Sequence, residues 1–162
     1  MLSWRLPRSE KMRRKDREIK HQAEIEEIIR KAIVCRIAVS DGDSPYVFPV
    51  CFGYKDRFLY FHSAQEGKKI EILRKNNKVC IEVDIDTELM SGEKGCDWGM
   101  RYKSVIGFGK AGFIESPEEK KKALNIILDH YANRSYDFSE EWLKNVVLVK
   151  ILVESLTGRK SV

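Results

Sequence analysis

The sequence has no long apolar run. No stretch approaches the roughly 18 consecutive apolar residues of a membrane-spanning helix, and the basic N-terminus lacks the apolar centre of a signal peptide. Hydrophobic residues make up 43% and charged residues 34% of the 162 residues, a balance typical of one globular domain. We therefore expect a cytoplasmic protein that does not associate with membranes.

Paired cysteines are also missing. The four cysteines are Cys35, Cys51, Cys80 and Cys96, and none belongs to a CxxC motif. Three of them fall in predicted strands, where a free cysteine behaves as a small apolar residue. We expect reduced, structural cysteines and no metal site. A zinc site that combines cysteines with His62 is the weaker alternative.

The body of the chain has no excess of charge. Residues 1–17 hold seven basic and two acidic side chains, which accounts for the whole net charge of +5 and leaves 23 charges of each sign in the remainder. A nucleic-acid-binding domain normally carries its excess on the domain itself. We therefore interpret residues 1–15 as a basic, solvated extension before a domain over residues 16–162, and do not expect nucleic-acid binding. Contact of this extension with phosphates, or docking within an oligomer, are the alternatives.

Signs of a parallel nucleotide-binding sheet are absent as well. No GxGxxG follows the first predicted strand, and crossover helices do not alternate with the strands. Two-residue periodicity predicts six strands, at residues 35–41, 46–54, 58–63, 78–86, 102–115 and 145–156. Helices are predicted over residues 16–32, 67–76 and 116–132. These elements predict a mainly β fold, a six-stranded, largely antiparallel barrel with flanking helices.

Two local features refine this prediction. Pro49 lies inside the second predicted strand, and because proline cannot donate to a ladder, this strand should be an edge or bulged. Residues 87–99 show no period and hold three glycines, so they are predicted to form a long loop.

The stretch "YFHSAQEGKKIEIL" at residues 60–73 marks a junction between a strand and a helix. A helix N-terminus presents unpaired amides and a partial positive charge, which suit a phosphate or carboxylate. Gly67 would allow close approach, Lys68 and Lys69 would add charge, and Ser63 would add a hydroxyl group. An ordinary surface helix with solvated lysines explains the same residues.

Neighbouring strands favour a ligand with a flat ring. "VFPVCF" places apolar groups around Pro49, and the small residues of "SVIGFG" permit close approach of such a ring. A phosphate anchor beside apolar strand surface suits flavin mononucleotide (FMN). The alternative for the glycines is a bulge or a barrel corner.

Several stretches together resemble the FMN-binding split-barrel family related to pyridoxamine 5′-phosphate oxidase, in particular its nitroimidazole-resistance-like, flavin-nucleotide-binding group. The stretches are "MRRKDREI" (12–19), "PYVFPVCFGY" (45–54), "LYFHSAQEGKKIEIL" (59–73), "VCIEVD" (79–84), "CDWGMRYKSVIGFGKA" (96–111) and "EEKKKALNIILDHY" (118–131). The resemblance covers nearly everything from Met12 onward. It implies a six-stranded antiparallel split β-barrel that forms a homodimer with FMN at the subunit interface.

The resemblance also implies a set of cofactor-binding residues. Strand residues would contact the ring, largely through backbone, or line the ring and ribityl chain, and two lysines would hold the phosphate. Ser104 matches a flavin-contacting glutamine of the oxidase, and Trp98 and Tyr102 would approach the cofactor from the same subunit or from the other one. The full set is Val47, Phe48, Pro49, Val50, Phe61, His62, Ser63, Lys68, Lys69, Trp98, Tyr102 and Ser104.

The resemblance implies a flavoprotein oxidoreductase that takes electrons from a nicotinamide and reduces a small, nitroaromatic-like acceptor. Vitamin B6 oxidase activity is not expected, because the oxidase's C-terminal arginine, histidine and tryptophan segment has no counterpart after "VESLTGRKSV". The alternatives are a flavin carrier without its own substrate and a haem-binding split barrel. No catalytic residue can be assigned; His62 is a candidate for site lining or proton transfer, or a packed histidine.

Overall fold

The computed structural model describes residues 14–161. Four helices and eight strands follow one another in the order β1 (Glu18–Ile19), α1 (Gln22–Lys31), β2 (Cys35–Asp41), β3 (Ser44–Val50), β4 (Gly53–Lys55), β5 (Phe58–Ser63), α2 (Lys68–Lys75), β6 (Lys78–Met90), β7 (Gly99–Ile114), α3 (Pro117–Ala132), α4 (Glu140–Lys144) and β8 (Val147–Ser161). Short 3₁₀ turns span Lys15–Arg17 and Gly95–Asp97. The part of the predicted extension before residue 14 lies outside the described residues.

All eight strands belong to one antiparallel sheet. The strand order is β3-β2-β6-β7-β8-β5-β4, and β1 pairs with β8. This confirms the predicted mainly β, antiparallel fold with flanking helices, although the strand count is eight rather than six. β3 is an edge strand, as Pro49 predicted, because it pairs with β2 alone among the described strands.

Alternation along the strands places one apolar face in the interior. Ile37, Leu59, Phe61 and Ile151 are buried there, together with Ile28 and Ile29 from α1. A second cluster lies beneath α3 and α4 and contains Ile114, Leu124, Ile127, Leu143 and Leu148. The first cluster contains residues of β3, β5 and α2, among them Phe48, Phe61 and Leu73.

Three local predictions need correction. The first helix spans Gln22–Lys31 rather than residues 16–32, because Glu18 and Ile19 pair with Arg159 and Gly158. The second predicted strand is interrupted between Val50 and Gly53, where the chain passes from β3 to β4. The predicted loop over residues 87–99 is partly strand, since β6 continues to Met90 and β7 begins at Gly99.

The four cysteines divide between the interior and the surface. Cys35 lies in the core, and burial raises the pKa of its thiol to about 12, which keeps it protonated. Cys80 is half-buried, whereas Cys51 and Cys96 are exposed. Within residues 14–161, no helix combines the length and the apolar composition needed to cross a membrane.

Candidate functional site

The turn between β5 and α2 opens the helix N-terminus to solvent. Gly67 is the N-cap residue, with φ 130° and ψ 160°, and no side chain of the described residues caps the helix. The amides of Ile70 and Glu71 donate to the Gly67 carbonyl group at 3.0 and 3.1 Å, so the first-turn amides before them have no acceptor within the helix. A methyl group built on Gly67 would meet nothing within 4 Å. This terminus is therefore accessible to an anion.

Both lysines of the junction lie over aromatic rings of β3. Lys68 Nζ is 5.0 Å from the centroid of the Tyr46 ring, and Lys69 Nζ is 5.5 Å from that of Phe48. No carboxylate group in residues 14–161 forms an ion pair with either lysine, although ten other ion pairs occur there. Cation–π contact contributes about 0.5–1 kcal/mol at exposed sites and leaves the positive charge uncompensated.

Ser63 provides a third polar group at the junction. It is the last residue of β5, is 6% exposed, and is the one buried polar residue in the described chain. Its Oγ has no hydrogen-bond partner among those residues. Buried hydroxyl groups normally have partners. Within residues 14–161, the unsatisfied hydroxyl group, the two lysines without ion-pair partners and the uncapped amides are groups that suit a phosphate ligand.

Among the residues predicted to contact the flavin ring, some side chains are buried and others are exposed. The side chains of Phe48, Val50 and Phe61 are buried, and the Phe48 and Phe61 ring centroids are 6.0 Å apart. Val47 is 61% exposed, and Pro49 is exposed beside it. Because β3 is an edge strand, one side of its backbone lacks a strand partner among the described residues. A ring could therefore contact β3 through backbone groups, as the resemblance implies.

His62 lies next to this cluster but faces away from the core. Along β5 it alternates with the buried Phe61 and Ser63. Partial desolvation of its ring, followed by the positive charge of Lys69, lowers the pKa of His62 below its usual value. His62 and Lys69 are therefore electrostatic neighbours.

The remaining predicted residues lie elsewhere. Ser104 and Tyr102 are on β7, where they pair with Arg159 and Ser161 of β8. Trp98 immediately precedes β7 and is 54% exposed. No hydrogen bond, ion pair or ring contact within the described chain joins these residues to the lysines. The structure thus brings together the candidates of β3, β5 and α2 and leaves the other three apart.

Sequence reasoning missed two neighbours of this site. Tyr46 lies under Lys68, and its strand alternation with Phe48 was the available signal. Arg36 pairs directly with Pro49, and its Nη1 lies 2.7 Å from Asp84 Oδ1 and 3.2 Å from Glu82 Oε2. Local sequence patterns could not predict the contact between Arg36 and these carboxylates, because the carboxylates lie on a strand far along the chain.

The pKa of Glu82 is affected by the neighbouring groups of Asp84 and Arg36. Desolvation, and then the negative charge of Asp84, raise the pKa of Glu82, while Arg36 opposes both effects. The guanidinium group therefore offsets the repulsion between two carboxylates on the outer face of the sheet.

Comparison with known proteins identifies the family. Residues 21–160 match the pyridoxamine 5′-phosphate oxidase family, so the chain belongs to that family. No curated protein matches the chain. The predicted family resemblance is thereby confirmed, and the antiparallel sheet described above is its split barrel.

The chain is also similar to several solved structures. A candidate 5-nitroimidazole antibiotic resistance protein from Bacteroides thetaiotaomicron shares 39% identity over 88% of this chain and 86% of its own, with a TM-score of 0.80. An FAD-binding protein from Mesorhizobium loti shares 25% identity over 90% and 98%, with a TM-score of 0.67. An FAD and haem binding protein from Mycobacterium smegmatis shares the fold, with a TM-score of 0.80, at 14% identity over 90% and 73%.

Proposed function

We propose that the chain is a flavoprotein that binds FMN, with the phosphate held by Lys68, Lys69, Ser63 and the first amides of α2. The observation that carries this proposal is a pair of lysines that have no ion-pair partner within residues 14–161 and lie at an uncapped helix N-terminus. The family and the FAD-binding relative support a flavin as the ligand.

The charge of the site favours FMN over FAD. The phosphate monoester of FMN carries about −1.5 to −2 charges on a single phosphate group at pH 7, whereas the diphosphate of FAD carries one negative charge on each of two phosphate groups, because each has one ester and one anhydride bond. Two lysines and a helix N-terminus match the monoester better. The buried Ser63 hydroxyl group would gain the acceptor that it lacks in residues 14–161.

We further propose that the protein is a homodimer and an oxidoreductase. Val47 and Ile106 are 61% and 42% exposed on the outer face of the sheet, an apolar surface that a second copy would cover. Bound flavin would supply electron transfer from a nicotinamide to a small nitroaromatic-like acceptor. The candidate nitroimidazole resistance relative supports this acceptor class.

The lysine pair provides the test of FMN binding. Replacing both Lys68 and Lys69 with alanine should weaken FMN binding by about 3 kcal/mol or more, over a hundredfold, because charge-assisted hydrogen bonds contribute roughly 1.5–3 kcal/mol each. Titration calorimetry with FMN and with riboflavin measures the effect. Riboflavin lacks the phosphate, so its affinity should change far less.

Lys75→Ala is the matched control, since Lys75 is exposed at the opposite end of the same helix. It should leave FMN affinity within a factor of about two, because surface charges far from the ligand contribute little. An unchanged FMN affinity in the folded double variant would show that the junction is an ordinary surface helix.

Anaerobic mixing with NADH or NADPH separates a reductase from a flavin carrier. Loss of the visible flavin absorption, and its return when a nitroimidazole is added, is the result expected of a reductase. A bound flavin that neither nucleotide bleaches would identify a carrier.

A further inference from the structure

The first two residues of α2 carry charges that the helix itself does not favour. Lys68 and Lys69 begin the helix, where the macrodipole is positive and cations are destabilising. Cations are favoured at the opposite end, where Arg74 and Lys75 lie. The two lysines therefore depend on another contact whenever no anion is bound.

The edge strand β3 supplies that contact through two neighbouring aromatic rings. Tyr46 and Phe48 alternate along the strand and so share one face, and their ring centroids are 5.9 Å apart. Lys68 Nζ lies 5.0 Å from the Tyr46 centroid, and Lys69 Nζ lies 5.5 Å from the Phe48 centroid. Each ammonium group thus has a ring of its own, whose negative face attracts the cation.

These contacts restrict both lysine side chains before any ligand arrives. A free lysine samples many rotamers, and a ligand that has to order it loses affinity by the corresponding entropy. An ammonium group over a ring keeps its charge and retains N–H donors for phosphate oxygens. The rings therefore order the lysines without using the groups that would bind a phosphate.

The two rings differ in what else they do. Phe48 is 5% exposed and lies 6.0 Å from Phe61, so it is also part of the core. Tyr46 is half-buried and packs at the border of that core. Its hydroxyl group makes no hydrogen bond within residues 14–161. The Tyr46 ring can therefore be replaced without opening a cavity in the core or leaving a polar group unpaired.

We propose that Tyr46 is a positioning residue for the phosphate anchor and sets the preference of the site for FMN over riboflavin. It acts through Lys68, whose ammonium group the ring holds at the start of α2. This inference rests on the proposed function, in which Lys68 and Lys69 bind the phosphate. Riboflavin has no phosphate, so the ordering of Lys68 adds nothing to its affinity.

Tyr46→Leu tests this role, because leucine keeps apolar bulk and removes the ring. Calorimetry should show a rise of about threefold to fivefold in the FMN dissociation constant, the size expected of a cation–π contact. The riboflavin constant should stay within about 1.5-fold. The conservative Tyr46→Phe retains the ring and should restore the parent FMN affinity. Tyr136→Leu is the matched control, since Tyr136 is 50% exposed between α3 and α4.

A double-mutant cycle with Lys68 separates positioning from packing. Lys68→Met removes the positive charge and keeps a long, unbranched side chain. In this background Tyr46→Leu should leave FMN affinity unchanged, because the ring has no ammonium group to hold. A ring that only packs against β3 would give the same loss of affinity with and without the lysine charge.

A measurement on the ligand-free protein is independent of flavin affinity. The ring current of Tyr46 should shift the NMR signals of the Lys68 ε-methylene protons upfield. The shift should persist in Tyr46→Phe and disappear in Tyr46→Leu. Unshifted signals in the parent protein would contradict the contact, even if the leucine variant fails to fold.

The outcomes distinguish this inference from the proposed function. If Tyr46→Leu binds FMN as tightly as the parent, or weakens FMN and riboflavin equally, the positioning role is wrong and the lysine anchor stands. An equal loss in the Lys68→Met background has the same meaning. If the folded double alanine variant of Lys68 and Lys69 keeps its FMN affinity, the anchor itself is wrong, and the role of Tyr46 with it.

Discussion

Ser63 holds a buried hydroxyl group whose hydrogen-bonding capacity is unused within residues 14–161. Ser63→Ala should therefore raise the free energy of unfolding of the ligand-free protein by up to about 1 kcal/mol, because an unsatisfied buried group costs about 1–3 kcal/mol. The same change should weaken FMN about tenfold, through loss of a hydrogen bond to a charged group. Urea unfolding and calorimetry measure the two effects.

The opposite signs of these two effects make the Ser63 prediction specific. A variant that is less stable and binds FMN as tightly as the parent would show that the hydroxyl group serves packing. Riboflavin affinity is the internal control, since it reports damage to the ring site without the phosphate.

The pKa of His62 depends on the charge of Lys69. Its pKa lies below the ordinary value of 6.5 because of desolvation first and Lys69 second. Between the lowered pKa and 6.5 the unfolded chain binds more protons than the folded chain, so this residue makes the free energy of unfolding rise with pH through that window. We expect an NMR titration midpoint below 6.5.

Lys69→Gln should move the His62 midpoint upward, because it removes the positive charge and retains a long side chain. Bound FMN should also move it upward, since phosphate compensates Lys69. A parent midpoint at or above 6.5 would contradict the prediction.

At the scale of the element, the start of α2 depends on Gly67. Its φ of 130° and ψ of 160° lie in a region that is essentially restricted to glycine, where other residues cost of order 1–3 kcal/mol. Gly67→Ala should lower the free energy of unfolding by about that amount and weaken FMN binding by displacing the first amides of the helix. Urea unfolding and calorimetry check both.

Gly95→Ala is the control for Gly67→Ala. A methyl group on Gly95 also meets nothing within 4 Å, but its backbone does not require positive φ. A Gly67 variant as stable as the Gly95 variant would mean that the turn can relax without disturbing the helix.

The helices and strands that could be predicted are those with strong signals in their local sequence. α3 begins as Ser116 and Pro117 indicated, and the Ser116 hydroxyl group accepts from the Glu119 amide at 3.5 Å. Strict alternation similarly identified β2 and the first half of β6. The junction of Ser63 with the two lysines was recognisable because all its parts lie within a few residues of one another.

Elements that depend on distant partners were not predictable. β1 exists because Glu18 and Ile19 meet residues at the far end of the chain, and its local sequence continued a helical pattern. The outer parts of β6 and β7 pair with each other through a segment without alternation of its own. α4, with Ser139 as its N-cap, was too short to give a periodic signal.

At the scale of the whole molecule, we expect a homodimer at micromolar concentration. Val47 and Ile106 are 61% and 42% exposed on the outer sheet face, an apolar surface that a second copy would cover. If FMN lies at the subunit interface, its affinity should fall when the protein is diluted below the dimer dissociation constant. Sedimentation with absorbance detection of the flavin follows protein and ligand together, and a flavin-loaded monomer would contradict this arrangement.

β8 pairs with β1, β5 and β7, and so joins the earliest, middle and late strands of the described chain. During synthesis, β2 can meet β3 and β4 can meet β5 as hairpins, but β1 has no sheet partner, and β5 lacks its longer one, until residues 147–161 leave the ribosome. Assembly then closes loops that span most of the chain, which slows folding. The core strands of the nascent protein would thus stay exposed until synthesis is nearly complete. Chaperone binding would protect the chain most during that period.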